Sequence, residues 1–252
     1  MYGDRNGAFG CNAATIDRLR GYQSILMTSQ AIAESSDAYA MAGFDVQTGY
    51  KVGTDIGGYG TNYNNGASYP IVNWQFGRAP GFFDEVCYTN TTAGSAQTIS
   101  HNLGVSPELI IVKSRSPNAR LWAVFAGING WSNYMRLNTN NASAAYGATI
   151  SVSSTSFTVT YGASSESEVA YLFASCPGVS KVGSYTGTGA TQTIDCGFTG
   201  GARFVLIKRT DSTGDWYVWD TARGMVAGTD PYLLLDTTAA EVNANNVYTC
   251  LL

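Results

Sequence analysis

Short apolar runs, separated by stretches rich in Gly, Asn, Ser and Thr, recur along the whole chain. Residues 109–112 and 169–173 are continuous apolar runs, residues 203–207 have four apolar residues after Arg203, and residues 156–161 alternate between apolar and polar side chains. Runs of this length, spaced by roughly 8–15 residues and bounded by turn-forming residues, are typical of β-strands. Strict alternation further indicates a strand with one buried face. The pattern predicts an all-β protein.

One stretch has helical spacing instead. Within residues 29–41, Ala31, Ile32, Ala38 and Met41 would share one face of a short helix. The prediction is therefore an all-β fold with at most one short helix.

The chain also repeats itself at a distance of about 95 residues. One series consists of residues 83–89, Gln-Thr-Ile at 97–99, Leu-Ile-Ile-Val-Lys at 109–113 and Trp122. The same series returns as residues 182–186, Gln-Thr-Ile at 192–194, Phe-Val-Leu-Ile-Lys at 204–208 and Trp216. Such long repeats favour a β-sandwich over a propeller or solenoid, whose repeats are shorter. We predict tandem antiparallel β-sandwich-like units of about 95 residues.

The repeats divide the chain unevenly, with Pro80 and Pro177 at the boundaries. Residues 1–80 match the C-terminal part of a unit, 81–177 a complete unit, and 178–252 the N-terminal part of a third. A half-unit exposes an apolar sheet face and unpaired strand edges, which are prone to aggregate. We expect the two halves to complete each other, within one chain or between neighbours, and predict a homo-oligomer, either a trimer or a head-to-tail polymer. The alternative is a fragment of a longer chain.

Composition excludes several classes of partner. Charged residues make up 13% of the chain, the net charge is −4, and Lys and Arg are scattered, so no basic stripe exists to bind nucleic acid. No apolar run is long enough for a spanning helix, and we expect no membrane insertion. Five widely spaced Cys form neither a metal-binding pair nor a complete disulfide framework, which indicates buried free thiols.

Candidate catalytic groups are few. His101 is the single histidine, and its counterpart in the next repeat is Cys196, which favours a packed strand-end histidine over a catalytic base. Residues 211–215 carry two Asp, but they fit a turn better than a Ca²⁺ loop. The carboxylate pairs at 84–85 and at 166 and 168 are interpreted as surface charges rather than a glycosidase pair. The sequence predicts no enzyme activity, no cofactor and no metal site.

Aromatic residues give a weak prediction of glycan binding. Alternation in residues 215–220 places Trp216 and Val218 on a core face and Tyr217 and Trp219 on the other, where they would stack on sugar rings or pack against a neighbouring unit. Tyr59 and Tyr63 lie in a long polar loop at 49–68, and long loops of this kind often bind ligands.

A repeated Asp-x-x-Arg-Gly segment predicts a structural pair. Asp17 and Arg20 precede Gly21, and Asp220 and Arg223 precede Gly224. Each carboxylate and guanidinium would fix a corner before its turn. The middle repeat has Ala126 and Asn129 at these positions, so one unit does without the pair.

Four segments together carry a resemblance to a known family. They are residues 100–113, 182–198 and 201–224, and the unit end with Trp74, Phe76 and Pro80. The sequence resembles, over residues 17–252, a repeated β domain of virion structural proteins of tailed bacteriophages, of the marine and cyanobacterial type, often in tail-fibre-like chains.

The resemblance implies a virion component that is assembled in the host cytoplasm, has other virion proteins as partners and attaches to a host-surface glycan; it implies no particular binding residue. The alternative function is that of an extracellular or cell-surface filament, or a lectin-like adhesin, built by head-to-tail completion of half-units.

Overall fold

The protein is all-β. The computed structural model describes residues 2–4, 13–36, 41–46, 48–53, 70–116, 120–148, 150–225 and 230–244. These ranges contain antiparallel strands and a 3-10 turn at Gly127–Asn129, and no α-helix. The predicted fold class is confirmed. The stretch in which a short helix was expected contains no helix where it is described, and Ser35 and Ser36 pair instead with Ile25 and Ser24. Residues 37–40 lie outside the described ranges.

The described residues form three large sheets and two small ones. The strands are β1 Tyr2–Asp4, β2 Ala14–Thr15, β3 Ser24–Met27, β4 Ser35–Ser36, β5 Met41–Gly43, β6 Lys51–Val52, β7 Ile71–Asn73, β8 Phe83–Thr89, β9 Gln97–Ser100, β10 Leu109–Ser114, β11 Ala123–Ala126, β12 Asn133–Arg136, β13 Ala144–Ala145, β14 Ser151–Val152, β15 Ser156–Val159, β16 Ser167–Phe173, β17 Phe204–Lys208, β18 Trp216–Asp220, β19 Asp230–Leu234 and β20 Val242–Ala244.

The large sheets have related strand orders. The first sheet runs β4-β3-β2-β1-β7, the middle sheet β13-β12-β11-β10-β16-β8 and the third sheet β17-β18-β19-β20. The small sheets are β14-β15-β9 and the hairpin β5-β6. In all three large sheets, consecutive strands of a meander are neighbours.

The middle unit is a two-sheet sandwich. Ile110, Val112 and Phe125 on the middle sheet pack against Ile99 and Phe157 on the small sheet, and all five side chains are buried. Strand alternation explains this core, because every second residue of β10 faces the small sheet.

The opposite faces of the three large sheets meet in one shared core. Leu26 of the first sheet, Val124 of the middle sheet and Val218 of the third are all buried in it. The sheets also exchange indole hydrogen bonds across this core. Trp122 Nε1 donates to the carbonyl of Met27 at 2.8 Å, and Trp216 Nε1 donates to that of Arg136 at 2.8 Å.

Corresponding turns join the units. Ala79 bridges to Phe83 across Pro80-Gly81, and Cys176 bridges to Ser180 across Pro177-Gly178. Both glycines have positive φ, 75° and 72°, which a residue with a Cβ adopts at a cost. The predicted boundaries fall in these turns, and the division into units stays a prediction.

Candidate functional site

The two Asp-x-x-Arg corners are buried ion pairs of the same design. Arg20 Nε contacts Asp17, and Arg223 Nε lies 2.7 Å from Asp220 Oδ2. In each corner the Arg backbone N–H also donates to the Asp, and one guanidinium nitrogen donates to a strand carbonyl at 2.9 Å. The aspartate and the strand carbonyl bind different nitrogens of the guanidinium and hold it in one orientation.

A second carboxylate completes each corner. Arg20 Nη1 lies 3.0 Å from Glu34, and Arg223 Nη1 lies 3.2 Å from Glu241. Glu34 also accepts two hydrogen bonds from Arg115 of the middle unit. Burial opposes ionisation of Glu34, but the two arginines outweigh it and lower its pKa.

Each corner also receives an aromatic donor from the adjoining sheet. The Tyr171 hydroxyl of β16 donates to Asp17 Oδ2 at 2.8 Å, and Trp74 Nε1, which follows β7, donates to Asp220 Oδ2 at 2.9 Å. The corners therefore join sheets to one another as well as closing turns.

The middle corner has neutral residues at the same positions. Asn129 Nδ2 donates to the Ser143 hydroxyl at 2.7 Å, where the other corners have an arginine and a glutamate. Ser143 N donates to the carbonyl of Thr210, as Glu34 N does to that of Arg115. The neutral pair preserves the contact between adjacent sheets without a buried charge.

Of the predicted glycan-stacking residues, the structure describes Tyr217 and Trp219. Tyr59 and Tyr63 lie outside the described residues. Trp219 is only 1% exposed, and its ring lies 5.5 Å from that of Tyr217 and 5.8 Å from that of Tyr232. Trp219 therefore packs against two tyrosines of its own sheet, and its packing against a neighbouring unit stays a prediction. Tyr217 is the half-buried, accessible member of the pair.

Tyr217 lies on a sheet face that is incompletely covered, which we call the open face. Val205, Ile207, Tyr217 and Tyr232 on this face of the third sheet are all half-buried. The corresponding face of the middle sheet is buried beneath β9, β15 and β14. No described strand covers the open face in the same way.

Residues 181–196 form a long extended connection, which we call the free segment. They pair with no strand in the described ranges, and residues 183–195 are exposed. Tyr185 is 44% exposed and Ile194 45%, whereas Ile99, the counterpart of Ile194, is 6% exposed.

One side-chain hydrogen bond within the free segment repeats a bond between the ends of β8 and β9. Gln192 Nε2 donates to the carbonyl of Thr186 at 3.2 Å, and Gln97 Nε2 donates to that of Thr89 at 3.0 Å. The same side-chain bond thus ties the two arms together in both units, although only β8 and β9 lie in sheets.

The carboxylates that were interpreted as surface charges are buried, so that interpretation is wrong. Asp84, Glu85, Glu166 and Glu168 are all buried. Asp84 accepts a hydrogen bond from Arg78 at 2.7 Å and Glu166 one from Arg120 at 2.6 Å. Sequence patterning missed them because their partners come from other segments.

Glu168 is the most strongly perturbed of these groups. It is fully buried on β16, and Asn90 Nδ2 donates to its Oε1 at 3.2 Å. Burial and the nearby Glu166 raise the pKa of Glu168 to about 8, while burial lowers the pKa of Lys113 to about 8. Burial and Asp17 likewise raise the pKa of Glu85 to about 7.

The remaining candidates have local structural contacts. His101 is buried, its Nδ1 accepts from Leu103 N at 3.2 Å, and burial lowers its pKa. Asp211 pairs with Arg209 on the surface. Cys87, Cys176 and Cys196 are free, half-buried thiols; Cys11 and Cys250 lie outside the described residues.

The described ranges contain neither a metal-binding cluster of side chains nor a helix that could span a membrane. No group of three or more His, Cys, Asp or Glu side chains in these ranges is arranged to hold a metal ion. None of the helical structure in them has the length and apolar character needed to cross a bilayer.

Sequence reasoning missed Glu34, Glu241 and Trp74 as members of the corners. A signal was present, since Glu34 and Glu241 each follow an Asp-x-x-Arg segment, beyond a strand, in the two flanking units. Trp74 carried no such signal because its partner, Asp220, is 146 residues away.

Comparison with known proteins identifies a family for nearly the whole chain. No curated protein and no solved structure matches this chain. The model of one family, described as Domain of unknown function (DUF7483), matches residues 4–252. The chain therefore belongs to the DUF7483 family.

Proposed function

We propose that the protein is a structural component of a bacteriophage virion, tail-fibre-like, that assembles in the host cytoplasm and attaches the particle to a host-surface glycan. The observation that carries the proposal is the free segment. It repeats one side-chain hydrogen bond of the connection between β8 and β9, exposes Tyr185 and Ile194, and pairs with no strand among the described residues. An exposed segment prepared for strand pairing suits a protein that is built into a larger assembly.

The resemblance of residues 17–252 to tail-fibre-like virion proteins supports the choice of a virion. A charge-poor surface with many hydroxyl and amide side chains suits an extracellular particle, since 13% of the residues are charged. The proposal assigns no catalytic step, cofactor or metal to the chain. Its partners are further copies of the chain and other virion proteins.

Glycan attachment is assigned to the accessible aromatic surface of the open face. Tyr217 and Tyr232 have ring centroids 5.3 Å apart and are both half-buried, so each presents part of its ring. Aromatic rings of this kind stack on the apolar faces of sugars. Trp219 stacks beside Tyr217 on the same strand and, being buried, is not assigned a contact with the sugar.

A second candidate is a cell-surface filament or lectin-like adhesin. The free segment favours it equally, because polymerisation through an added strand does not require a virion. The two candidates differ in where the protein is found.

Localisation tests the proposal. Antibodies raised against the purified chain would be applied, with gold labelling, to particles and cells from cultures that produce it. We expect label on the tails of virus particles. Label confined to cell-surface filaments would replace the proposal with the second candidate.

Binding to purified host envelope polysaccharide tests the glycan assignment. We expect Tyr217→Ala to lower the affinity by about tenfold, an aromatic stacking contact being worth on the order of 1 kcal/mol or more. The matched control is Tyr22→Ala, because Tyr22 is an exposed tyrosine on the first unit. Equal binding by the wild type and both variants would contradict a role for the open face.

A further inference from the structure

We propose that the free segment of one copy adds as an edge strand to β7 of a second copy. This inference deepens the assembly part of the proposed function, and rests on it only there, because the pairing requires neither a virion nor a glycan. The acceptor is the outer edge of β7, which pairs with β1 on its other side. No strand in the described ranges occupies the outer edge.

The middle unit shows which element occupies the corresponding edge. There β16 pairs with β10 on one side and with β8 on the other, from Phe83↔Phe173 to Thr89↔Ser167. An antiparallel strand from the preceding part of the unit therefore covers the edge of β16.

The strand β7 corresponds to β16 in its surroundings. Each lies beside the first strand of its meander, and each is followed or occupied by the aromatic residue that donates to a corner aspartate, Trp74 to Asp220 and Tyr171 to Asp17. The two aromatic residues are 97 positions apart. The edge of β7 is thus the place where a β8-like strand belongs.

The free segment corresponds to β8 in its position within the repeat. The turn before it repeats the turn before β8, with Ser180 in the bridging position of Phe83, again 97 positions apart. Its Gln192–Thr186 bond repeats the Gln97–Thr89 bond, so its two arms are already held together. Preorganisation of this kind lowers the entropic cost of pairing.

The common offset of 97 positions fixes the register. Tyr88↔Glu168 and Cys87↔Val169 in the middle unit translate into Tyr185 opposite Ile71 and Ser184 opposite Val72. Tyr185 is 44% exposed in the single chain, and Ile71 is half-buried. An aromatic residue directly opposite a β-branched one is a favourable cross-strand pair.

The geometry also points to growth in one direction. In this contact each copy contributes two different surfaces. The acceptor is the edge of β7 on the first sheet, and the donor is the free segment between the middle and third sheets. Different surfaces meet in this contact, so it is heterologous and generates rings or open filaments rather than closed two-fold dimers. A connection of this length without strands is uncommon inside a compact protein unless it has a function.

The test mixes two variants of the purified full chain, Tyr185→Cys and Ile71→Cys, and adds a short thiol-to-thiol crosslinker. Peptide mass spectrometry then identifies which residues are joined. We expect a link between positions 185 and 71 from different chains, and none when Ile71→Cys is replaced by Ser132→Cys, an exposed site on the middle unit. No 185–71 link in the mixture, or one formed only within a chain carrying both substitutions, would overturn the proposal.

Assembly is measured on the same protein by sedimentation and electron microscopy across a dilution series. We expect rods or rings that grow with concentration, and a shift of at least about tenfold in the half-assembly concentration for Gly183→Pro, because in the proposed register the Gly183 N–H faces Asn73 of β7 and proline removes it. Thr188→Pro, in the turn between the two arms, is the control and should assemble normally. Rods that survive Gly183→Pro would also overturn the proposal.

A competitor avoids the question of whether Gly183→Pro folds. A synthetic peptide of residues 181–196 should occupy the β7 edge of the wild-type chain and shorten its assemblies, and the same peptide with Gly183→Pro should not. Loss of these effects together with virion labelling would reject only the pairing. Retained pairing with label on cell-surface filaments would reject only the virion.

Discussion

At the scale of single residues, the protein has ion pairs that are buried and ion pairs that are exposed. The Arg223 and Asp220 side chains are 2% and 5% exposed, whereas those of Arg209 and Asp211 are 59% and 74% exposed. A buried pair that loses one partner leaves an uncompensated charge, while an exposed partner is simply hydrated. The two pairs therefore form a matched comparison.

Arg223→Ala should lower the free energy of unfolding by about 3–5 kcal/mol, because Asp220 would stay buried without its cation. Arg209→Ala should have no measurable effect. Urea unfolding monitored by tryptophan fluorescence measures both. A loss for Arg223→Ala no greater than that for Arg209→Ala would contradict the structural role of the corner.

Burial of Glu168 and Glu85 predicts a dependence of stability on pH. Their folded-state pKa values, about 8 and about 7, lie above the ordinary value for glutamate, so folding favours their protonated forms. The stability from these groups is full below about pH 4.5 and is lost as pH rises through 7 and 8. Lys113, with its pKa lowered to about 8, affects stability mainly above that pH.

The melting temperature should therefore fall between pH 5 and pH 8, and Glu168→Gln should make that slope shallower, because the amide does not ionise. Glu34→Gln is the control. Its pKa is lowered, so its titration lies below this window and its variant should keep the wild-type slope. Parallel slopes for the wild type and Glu168→Gln would show that Glu168 is not responsible.

At the scale of the elements, the turn between β15 and β16 has no space for a side chain at Gly162. Gly162 has a φ of 101°, and a Cβ there would overlap the amide of Asn90 and approach Glu168. Asn90 ties this turn to the end of β8, since its backbone exchanges hydrogen bonds with Ser165 and Glu166. The glycine is required by the closeness of two strand ends.

Gly162→Ala should destabilise the protein by about 3 kcal/mol or more, combining backbone strain with overlap against Asn90. Gly147→Ala is the matched control: its φ is 81°, but no atom lies within 4 Å of the added Cβ, so about 1 kcal/mol of strain alone is expected. Thermal unfolding of both variants separates the two effects. Equal losses would mean that the overlap is relieved by movement of Asn90.

At the scale of the whole molecule, the shared core couples the three large sheets. Leu26, Val124 and Val218 belong to different sheets and are buried in one cluster. A sheet that separated from the others would expose its inner face, so the sheets should not unfold independently.

Calorimetry should accordingly show one transition for the described fold, with calorimetric and van't Hoff enthalpies that agree. Leu235→Ala, a buried substitution directly after β19, should lower the free energy of unfolding by about 2–5 kcal/mol without splitting the single transition. Ile194→Ala on the exposed free segment is the control and should leave it unchanged. Two separate transitions would indicate units that unfold independently.

The sequence by itself determined the fold class, because strand formation here depends on local alternation and on turn-forming residues. Residues 156–161 alternate, and the strand and its buried face follow. It also indicated the Asp-x-x-Arg corners, because both partners lie within four residues and recur in the flanking repeats. The apolar spacing in residues 29–41 suggested a short helix, but Ser35 and Ser36 form β4, which pairs with β3 in the first sheet.

Only the tertiary structure decided what surrounds these elements. In the folded chain Glu168 is buried near Lys113, and Trp74 donates a hydrogen bond to Asp220. Trp219 stacks beside Tyr217, and the free segment is exposed. Each outcome depends on contacts between residues far apart in the chain. Local patterns report which face of a strand is apolar, but not which segment, or which chain, covers it.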